Sequence, residues 1–221
     1  MPIHPNFLPG LRLFCTTAIV IDRKVDWVER EADEVLVRRV VNGDTEAFAE
    51  LVGKYRDPIV SFASRILDDP SEAQDVAQQV FVKAFSASRR LRITARFRNW
   101  LYVIARNLCL NELRRRARHR VIPLNLHDAR SEEYVPNEHS GSVYGGIEAL
   151  AQQELLAKLE EALSNLPEQQ RIALVLLSDG SASYEEIAGI LQTSMSATKS
   201  LIHRGRETLK RRLTAYLPAT A

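Results

Sequence analysis

The segment with the clearest chemistry is residues 96–120, RFRNWLYVIARNLCLNELRRRARHR, where apolar and aromatic residues lead into a block of arginines. Between Arg89 and Arg120 the chain carries eleven arginines and a single acid, Glu112. Guanidinium groups bind phosphates and aromatic rings stack on bases, so these residue types suit a nucleic-acid strand. A membrane-surface helix and a solvated charge run are the alternative interpretations.

A second basic face lies near the end of the chain, at the spacing of one side of a helix. It consists of Lys199, His203, Arg206 and Lys210, and the apolar positions opposite are Thr198, Ile202, Gly205 and Leu209. A short helix precedes it, opened by a capping box of Ser183 and Glu186. Two short helices joined by a tight turn predict a helix-turn-helix whose second helix can enter a major groove. The alternative is an ordinary basic face in solvent.

No recognised catalytic or metal-binding motif is present. The chain lacks a G-x-x-x-x-G-K-[ST] loop, an H-E-x-x-H pair and any cysteine or histidine cluster. Cys15 and Cys109 lie too far apart in sequence to suggest a disulfide framework, which fits a reducing cytoplasm. We therefore expect no enzyme, no cofactor, no metal site and no small-molecule substrate. The apolar run Leu11 to Ile21 is too short to span a bilayer, so we expect no membrane insertion.

Helical periodicity dominates the front half, and strand signals are almost absent. Predicted helices cover Glu31 to Val41, a segment from Asp44 that Pro58 bends or restarts, and a segment that Ser71 opens in a capping box with Gln74. After a basic loop, residues 86–96, a further long helix follows. Helices with apolar stripes of this kind predict one bundle.

The predicted fold is all-α, with two small helical domains joined by a flexible linker, the C-terminal domain being the helix-turn-helix. The linker is expected at 119–149, where prolines, glycines and scattered acids interrupt any period. The domains are then 30–118 and 150–216, preceded by an extension, 1–29. Net charge is only +2 because acids gather away from the arginines, with eight between Asp26 and Glu50 and four between Asp68 and Asp75.

Four stretches together resemble a known family. They are GDTEAFAELVGKYRDPIVSFA, SEAQDVAQQVFVKAF, FRNWLYVIARNLCLNELRRR and LPEQQRIALVLL with SYEEIAGILQTSMSATKSLIHRGRETLKRRL. In this order they are similar to the bacterial sigma factors of the extracytoplasmic function (ECF) group. The resemblance implies that residues 30–118 are sigma region 2 and that residues 150–216 are sigma region 4. It also implies an alternative sigma factor that binds core RNA polymerase and directs promoter-specific transcription initiation.

The resemblance also assigns residues to surfaces. Asp75, Gln78 and Gln79 match positions that dock on the clamp of the polymerase largest subunit, although the family usually has glutamate at position 79. The loop Leu91 to Asn99 matches the part that captures a flipped base of the promoter −10 element, and the arginine-bearing helix after it handles the strand backbone. The implied −10 residues are Leu91, Arg92, Ile93, Thr94, Arg96, Arg98, Asn99, Arg106, Asn107, Arg114, Arg115 and Arg118. We expect Phe97 and Trp100 to be core anchors that hold the loop.

At the other end, the resemblance implies −35 element contacts from the last basic helix. The matching residues are Ser196, Lys199, Ser200, His203 and Arg204. Leu201 stands where the family usually has arginine. An anti-sigma factor is the further partner that the resemblance implies.

A promoter bubble is too costly for this chain to open alone. Each base-pair step costs about 1.4 kcal/mol of stacking over roughly ten steps, whereas one captured base returns only about 1 to 3 kcal/mol. This deficit favours a polymerase subunit. The alternatives are a stand-alone helix-turn-helix regulator that needs no polymerase, and an adaptor that binds protein through its helices and RNA through its arginines.

Overall fold

The computed structural model describes residues 33–88, 97–120, 146–180 and 182–214, and side chains there except at 119–120 and 146–153. The extension 1–29 and most of the predicted linker lie outside the described residues. Within the described part every regular element is a helix, as the predicted all-α fold requires. The helices are α1 (33–41), α2 (Thr45–Leu67), α3 (Pro70–Ala87), α4 (Phe97–Arg120), α5 (Gly146–Ser164), α6 (Glu168–Ser178), α7 (Tyr184–Leu191) and α8 (Met195–Leu213).

Helices α1 to α4 form the first unit, around a core in which α2 contacts both α3 and α4. Phe62 of α2 and Tyr102 of α4 pack edge to face, with ring centroids 5.3 Å apart. The short α1 is held by its first described residue, since Asp33 is buried and accepts hydrogen bonds from the Tyr55 hydroxyl and from Lys54 Nζ, the latter at 2.8 Å. These contacts fix α1 on α2.

The apolar stripe predicted for α1 is partly wrong. Val37 and Val40 are the buried valines of α1, whereas Val35, predicted to face inward, is 53% exposed. Leu36 and Val41 are half-buried. The helix is therefore rotated from the prediction, because the Asp33 contacts turn the side of Val37 toward α2.

Helix α2 begins as predicted, with the Asp44 side chain accepting from the backbone N–H groups of Glu46 and Ala47. Pro58 does not interrupt it, because α2 runs unbroken to Leu67. Asp68 then ends it in the left-handed region, at φ 57°.

The start predicted for α3 is wrong by two residues. Asp69, rather than Ser71, is the N-cap, and its side chain accepts from the backbone N–H groups of Ser71 at 2.9 Å and Glu72 at 3.0 Å. Pro70 explains the earlier start, because its fixed φ suits the first position of a helix, where no N–H partner is required.

The second unit comprises α5 to α8, with α6 almost wholly buried from Arg171 to Leu176. The predicted capping box of α7 is confirmed, since Ser183 N–H donates to Glu186 Oε2 at 2.7 Å and Glu186 N–H to Ser183 Oγ at 3.2 Å. Helix α8 begins after the N-cap Ser194. Its predicted inward positions Thr198, Ile202, Gly205 and Leu209 are all buried.

One glycine sets how closely α8 approaches α6. A Cβ placed on Gly205 would lie 2.8 Å from Leu174 Cδ1, closer than van der Waals contact allows. The two helices therefore meet at a point where a side chain on α8 would force Leu174 or the helix to move.

The two units touch one another. The buried apolar residues of both belong to one continuous cluster, in which α2 meets α6 and α4 meets α7. The Tyr102 hydroxyl donates to Asp179 Oδ2 at 3.1 Å, and Arg65 Nη1 donates to Ser178 Oγ at 3.1 Å. The helices that carry the two predicted nucleic-acid surfaces, α4 and α8, therefore belong to one packed structure. The domain boundaries inferred from the sequence remain predictions.

Candidate nucleic-acid and polymerase interfaces

The predicted polymerase-docking residues share one side of α3. Asp75, Gln78 and Gln79 are exposed, whereas Val76 and Val80 point into the core. The spacing that buries the valines therefore leaves the three polar side chains accessible to a protein partner.

Beside this polar side runs a groove of about 570 Å³ between α2 and α3. Its lining includes Asp75 and Gln78 together with Val82 and Phe85, which are 60% and 50% exposed. Phe85 was predicted to face inward with the rest of the α3 stripe, and this prediction is wrong. Its ring packs against the Phe48 ring, at 5.1 Å between centroids, while half of the side chain stays in solvent. The position of Phe85 fits the apolar stripe of α3, so helical periodicity predicted it to be buried and did not indicate this apolar surface.

The loop predicted to choose a −10 base is only partly described. Leu91, Arg92, Ile93, Thr94 and Arg96 lie outside the described residues. The last three residues of the predicted loop, Phe97 to Asn99, instead form the first turn of α4. Phe97 is confirmed as a core anchor, 4% exposed, with its ring 5.8 Å from each of the Tyr55 and Trp100 rings. Trp100 is half-buried against the same core.

The first turn of α4 carries two of the predicted −10 residues. The Arg98 guanidinium lies over the Tyr102 ring, 5.1 Å from its centroid, which holds the cation near the helix start. The Asn99 Oδ1 atom is buried and accepts no hydrogen bond from the described residues. An acceptor without a partner at this position is suited to a donor from the adjacent segment or from a base.

The arginines of α4 are in different environments. Arg114 and Arg118 are exposed, as is Asn107. Arg115 is exposed but engaged, because its Nε donates to Glu112 Oε2 at 2.8 Å and its Nη2 to Oε1 at 2.6 Å. This pairing raises the pKa of Arg115 and lowers that of Glu112.

Arg106 differs from the other predicted strand contacts. It is only 8% exposed, and burial lowers its pKa, with a smaller contribution from the nearby charge of Arg114. Its Nη1 donates to Asn107 Oδ1 at 3.3 Å, but its Nε has no hydrogen-bond partner among the described residues. In this arrangement little of the Arg106 side chain is accessible to a phosphate.

Arg116 has a structural position that the sequence did not indicate. Its Nε donates to Glu72 Oε2 at 2.9 Å and its Nη1 donates to the Leu67 carbonyl at 2.7 Å. One side chain thus joins α4 to the first turn of α3 and to the end of α2.

The predicted −35 residues lie together on α8. Ser196, Lys199, Ser200, His203 and Arg204 are all exposed, on the side of α8 away from its buried stripe. Arg204 Nε donates to the Ser200 carbonyl at 3.2 Å, which directs the guanidinium along the helix. Leu201 is half-buried against the core, so it contributes packing rather than a fully exposed contact. The surface has the residue types and accessibility that groove binding requires.

Within the described helices, no segment is long and apolar enough to cross a membrane. The described residues also contain no cluster of histidine, cysteine, aspartate or glutamate suited to a metal ion.

Two protein families match the chain, one in each unit. Sigma-70 region 2 matches residues 51–119, and Sigma-70 region 4 matches residues 156–209. Among curated relatives, RNA polymerase sigma-H factor of Pseudomonas aeruginosa is 36% identical over 189 residues, covering 85% of this chain and 97% of the relative. ECF RNA polymerase sigma-E factor of Escherichia coli is 35% identical, with 82% and 94% covered. ECF RNA polymerase sigma factor SigW of Bacillus subtilis is 31% identical, with 80% and 94% covered.

Solved structures agree on the fold. CnrH in complex with the cytosolic domain of CnrY superposes with a TM-score of 0.61 at 24% identity, covering 83% of this chain and 98% of that chain. The sigma factor RpoE in complex with the anti-sigma factor NepR, from Bartonella quintana, gives a TM-score of 0.59 at 23% identity, with 76% and 96% covered.

Proposed function

This chain belongs to the ECF group of RNA polymerase sigma factors, and on that premise we propose which of its surfaces perform transcription initiation. As an alternative sigma factor it directs promoter-specific transcription. Sigma factors are regulators of transcription rather than enzymes. The assignment of surfaces below is our own and is argued from the geometry of the described residues.

Core polymerase binds the exposed side of α3. Asp75 supplies a charge, Gln78 and Gln79 supply amides, and the neighbouring groove offers the half-exposed Phe85 as an apolar anchor. A polar surface beside a partly exposed aromatic ring is typical of protein interfaces, in which an apolar centre is surrounded by a polar rim. This combination is the observation that best supports docking here.

The −35 element is read by α8. Its exposed side presents Lys199 and Arg204 for phosphates and His203 with two serines for base edges. The N-terminal half of α8 carries these residues, which is the part of a recognition helix that enters the major groove.

The −10 strand is bound by α4 and the loop before it. Arg114 and Arg118 are exposed and have the charge that phosphates require, and Asn99 offers an acceptor close to the loop that no described residue uses. Phe97 anchors the start of α4 in the core and so gives the loop a rigid end.

An anti-sigma factor is the remaining partner that we propose. Support comes from the two solved structures of similar fold, whose titles describe complexes with CnrY and with the anti-sigma factor NepR. We also place the chain in the cytoplasm, where core polymerase works.

The test is reconstitution. The purified chain is incubated with core polymerase, passed over a sizing column and assayed for transcription from genomic fragments pooled as template. We expect coelution and transcripts that start at a limited set of sites. Duplex binding by the chain without coelution would instead support the stand-alone regulator, and RNA binding without promoter activity would support the adaptor.

A further inference from the structure

Four exposed polar residues of α4 lie in one stripe along the helix. They are Asn107, Asn111, Arg114 and Arg118, at i, i+4, i+7 and i+11, which is the spacing of one side of a helix. The two arginines have the charge that phosphates require, and the two amides can form hydrogen bonds with base edges. Asn111 was not among the −10 residues that the sequence indicated, and its position adds it to this surface.

One amide of this stripe contacts a buried arginine. Arg106 Nη1 donates to Asn107 Oδ1 at 3.3 Å, and Arg106 is only 8% exposed. The two residues are adjacent on α4, so the contact belongs to the helix itself and depends on no other element. Because little of the guanidinium is available to a phosphate, Arg106 can act on a strand mainly through Asn107.

The chemistry of arginine decides which end of the Asn107 amide faces it. A guanidinium carries only donors, so the atom that meets it must be the amide oxygen. A flipped amide would bring N–H groups against N–H groups and would lose the hydrogen bond. The NH2 group of Asn107 therefore points away from Arg106, and this exposed side chain is held as a donor.

A side chain that is held as a donor distinguishes two classes of base. Thymine and guanine carry a keto oxygen, O4 or O6, where cytosine and adenine carry an amino group. The NH2 group of Asn107 can donate to a keto oxygen, but it meets a second donor in the other two bases. An asparagine that binds adenine presents its oxygen and its NH2 group together, and the contact with Arg106 keeps the oxygen from turning outward.

We propose that Arg106 is a positioning residue, which holds the Asn107 amide with its NH2 group outward so that Asn107 selects a keto base, thymine or guanine, at one position of the −10 element. The inference rests on the function proposed above, because a base can meet Asn107 only if α4 binds the −10 strand. Arg106 then acts through Asn107, in place of the phosphate contact that the resemblance implies.

The test compares bases that differ in this one group. Core polymerase with the whole chain bound is titrated with a labelled promoter fragment from the reconstitution, in which the non-template strand of the −10 element is left single-stranded. Each thymine is replaced in turn by 5-methylcytosine, which keeps the methyl group and has an amino group in place of O4. Each guanine is replaced by 2,6-diaminopurine. We expect one position at which the keto base binds about tenfold more tightly.

Variants of the two residues should change this preference in different ways. Asn107→Ala should abolish it, and Asn107→Asp, which has acceptors only, should invert it. Arg106→Met frees the amide to turn either way and should reduce the preference to about twofold, whereas Arg106→Lys, which also has donors only, should keep most of it. Arg114→Met, the loss of an exposed arginine in the same stripe, is the comparison and should weaken the binding of keto and amino bases alike.

Arg106→Gln is a second variant for the buried position, in case urea titrations show that Arg106→Met does not fold. Glutamine can accept as well as donate, so it should also release the amide and lower the preference.

Two results would overturn the positioning role. One is an equal loss of affinity for keto and amino bases in Arg106→Met or Arg106→Gln, with the preference kept at its wild-type size. The other is the absence of any position at which Asn107→Ala changes the preference. A chain that never coelutes with core polymerase, or that starts transcripts at random sites, would instead refute the proposed function.

Discussion

Arg116 and Glu72 join α4 to the first turn of α3, through a hydrogen bond of 2.9 Å from Arg116 Nε to Glu72 Oε2. The same guanidinium donates to the Leu67 carbonyl at the end of α2. Arg116 is thus used to hold three helices together, while its neighbours Arg114 and Arg118 are exposed. In a row of arginines that looks uniform in sequence, one thus has a structural role, and two are available for the strand binding that we propose.

This division predicts that substitutions of neighbouring arginines affect different properties, stability in one case and nucleic-acid binding in the other. Arg116→Ala should lower the free energy of unfolding by about 1 kcal/mol, because it removes charge-assisted bonds that solvent partly screens. Arg114→Ala with Arg118→Ala should leave stability within about 0.5 kcal/mol of wild type and lower the salt slope of single-strand binding by about 0.7 per lost contact. Urea unfolding and salt titrations measure the two effects. An equal loss of stability in both variants would contradict the division.

Asp33 is expected to be essential for the attachment of α1. Its buried carboxylate accepts from Tyr55 and Lys54, so Asp33→Ala removes a buried hydrogen bond of the Tyr55 hydroxyl and the ion pair of Lys54. We expect a loss of about 1 to 3 kcal/mol in the free energy of unfolding. Hydrogen exchange across residues 33–41 should accelerate more than exchange in α6. Glu34→Ala, which removes only an exposed ion pair with Arg38, is the control and should cost less than about 0.5 kcal/mol.

Cys109 should be almost inert toward alkylating reagents in the folded chain. Burial raises the pKa of its thiol to about 12, so the neutral form is favoured and only about one part in 10⁴ is thiolate at pH 8. In a Cys15→Ser background, alkylation should be about a thousandfold slower than in urea and should rise about tenfold for each pH unit. Because the folded pKa of about 12 lies above the unfolded value of about 8.5, the folded chain keeps a proton that the unfolded chain loses, and stability falls as pH rises from about 8.5 through about 12. Rapid labelling at pH 8 would show that the interior opens frequently.

The proposed −35 contacts predict a change in salt dependence. Lys199→Ala with Arg204→Ala should weaken duplex binding and lower the slope of log K against log salt by about 1 for each lost phosphate contact. Arg212→Ala, the loss of an exposed charge at the far end of α8, controls for net charge and should change the slope less. An unchanged slope in the double variant would argue against groove docking of α8.

Docking on polymerase predicts a sensitivity at Asp75. Asp75→Lys with Gln79→Lys should weaken binding to core polymerase by tenfold or more, because two bases replace an acid and an amide and change the charge of the proposed docking surface, and should leave −35 duplex binding intact. Glu160→Lys, a charge reversal at an exposed position of α5, is the control. Fluorescence anisotropy with labelled sigma factor measures the first and a gel shift the second. Equal losses in both assays would refute separate surfaces.

Local features of this protein could be predicted from its sequence, because they depend on residues a few positions apart. The buried stripe of α8 and the capping box of Ser183 and Glu186 follow from spacing alone and are confirmed. Competition between neighbours is harder to predict. Asp69 and Ser71 are both good N-caps, and Pro70 between them decides the choice.

Contacts between distant segments could not be predicted in this way. Tyr102 and Asp179 are 77 positions apart, and neither residue type indicates the other as its partner. The burial of Arg106 could not be predicted either, because arginine is rarely found in a protein core. The resemblance to sigma factors assigned Arg106 to the strand, and that assignment stays a prediction.

The contact between Gly205 and Leu174 helps to set the orientation of the part of α8 that precedes it. The helix rests on Leu174 at this point, and the proposed reading residues lie within the nine positions before it, an arm of about 13 Å. A methyl group added at Gly205 would displace either the Leu174 side chain or the helix. If the helix moves, a tilt of about five degrees displaces the far end of that arm by about 1 Å, enough to disturb a bidentate contact with a base. If α8 reads the −35 element as we propose, promoter choice is sensitive to substitution on the buried side of α8 as well as on its exposed side.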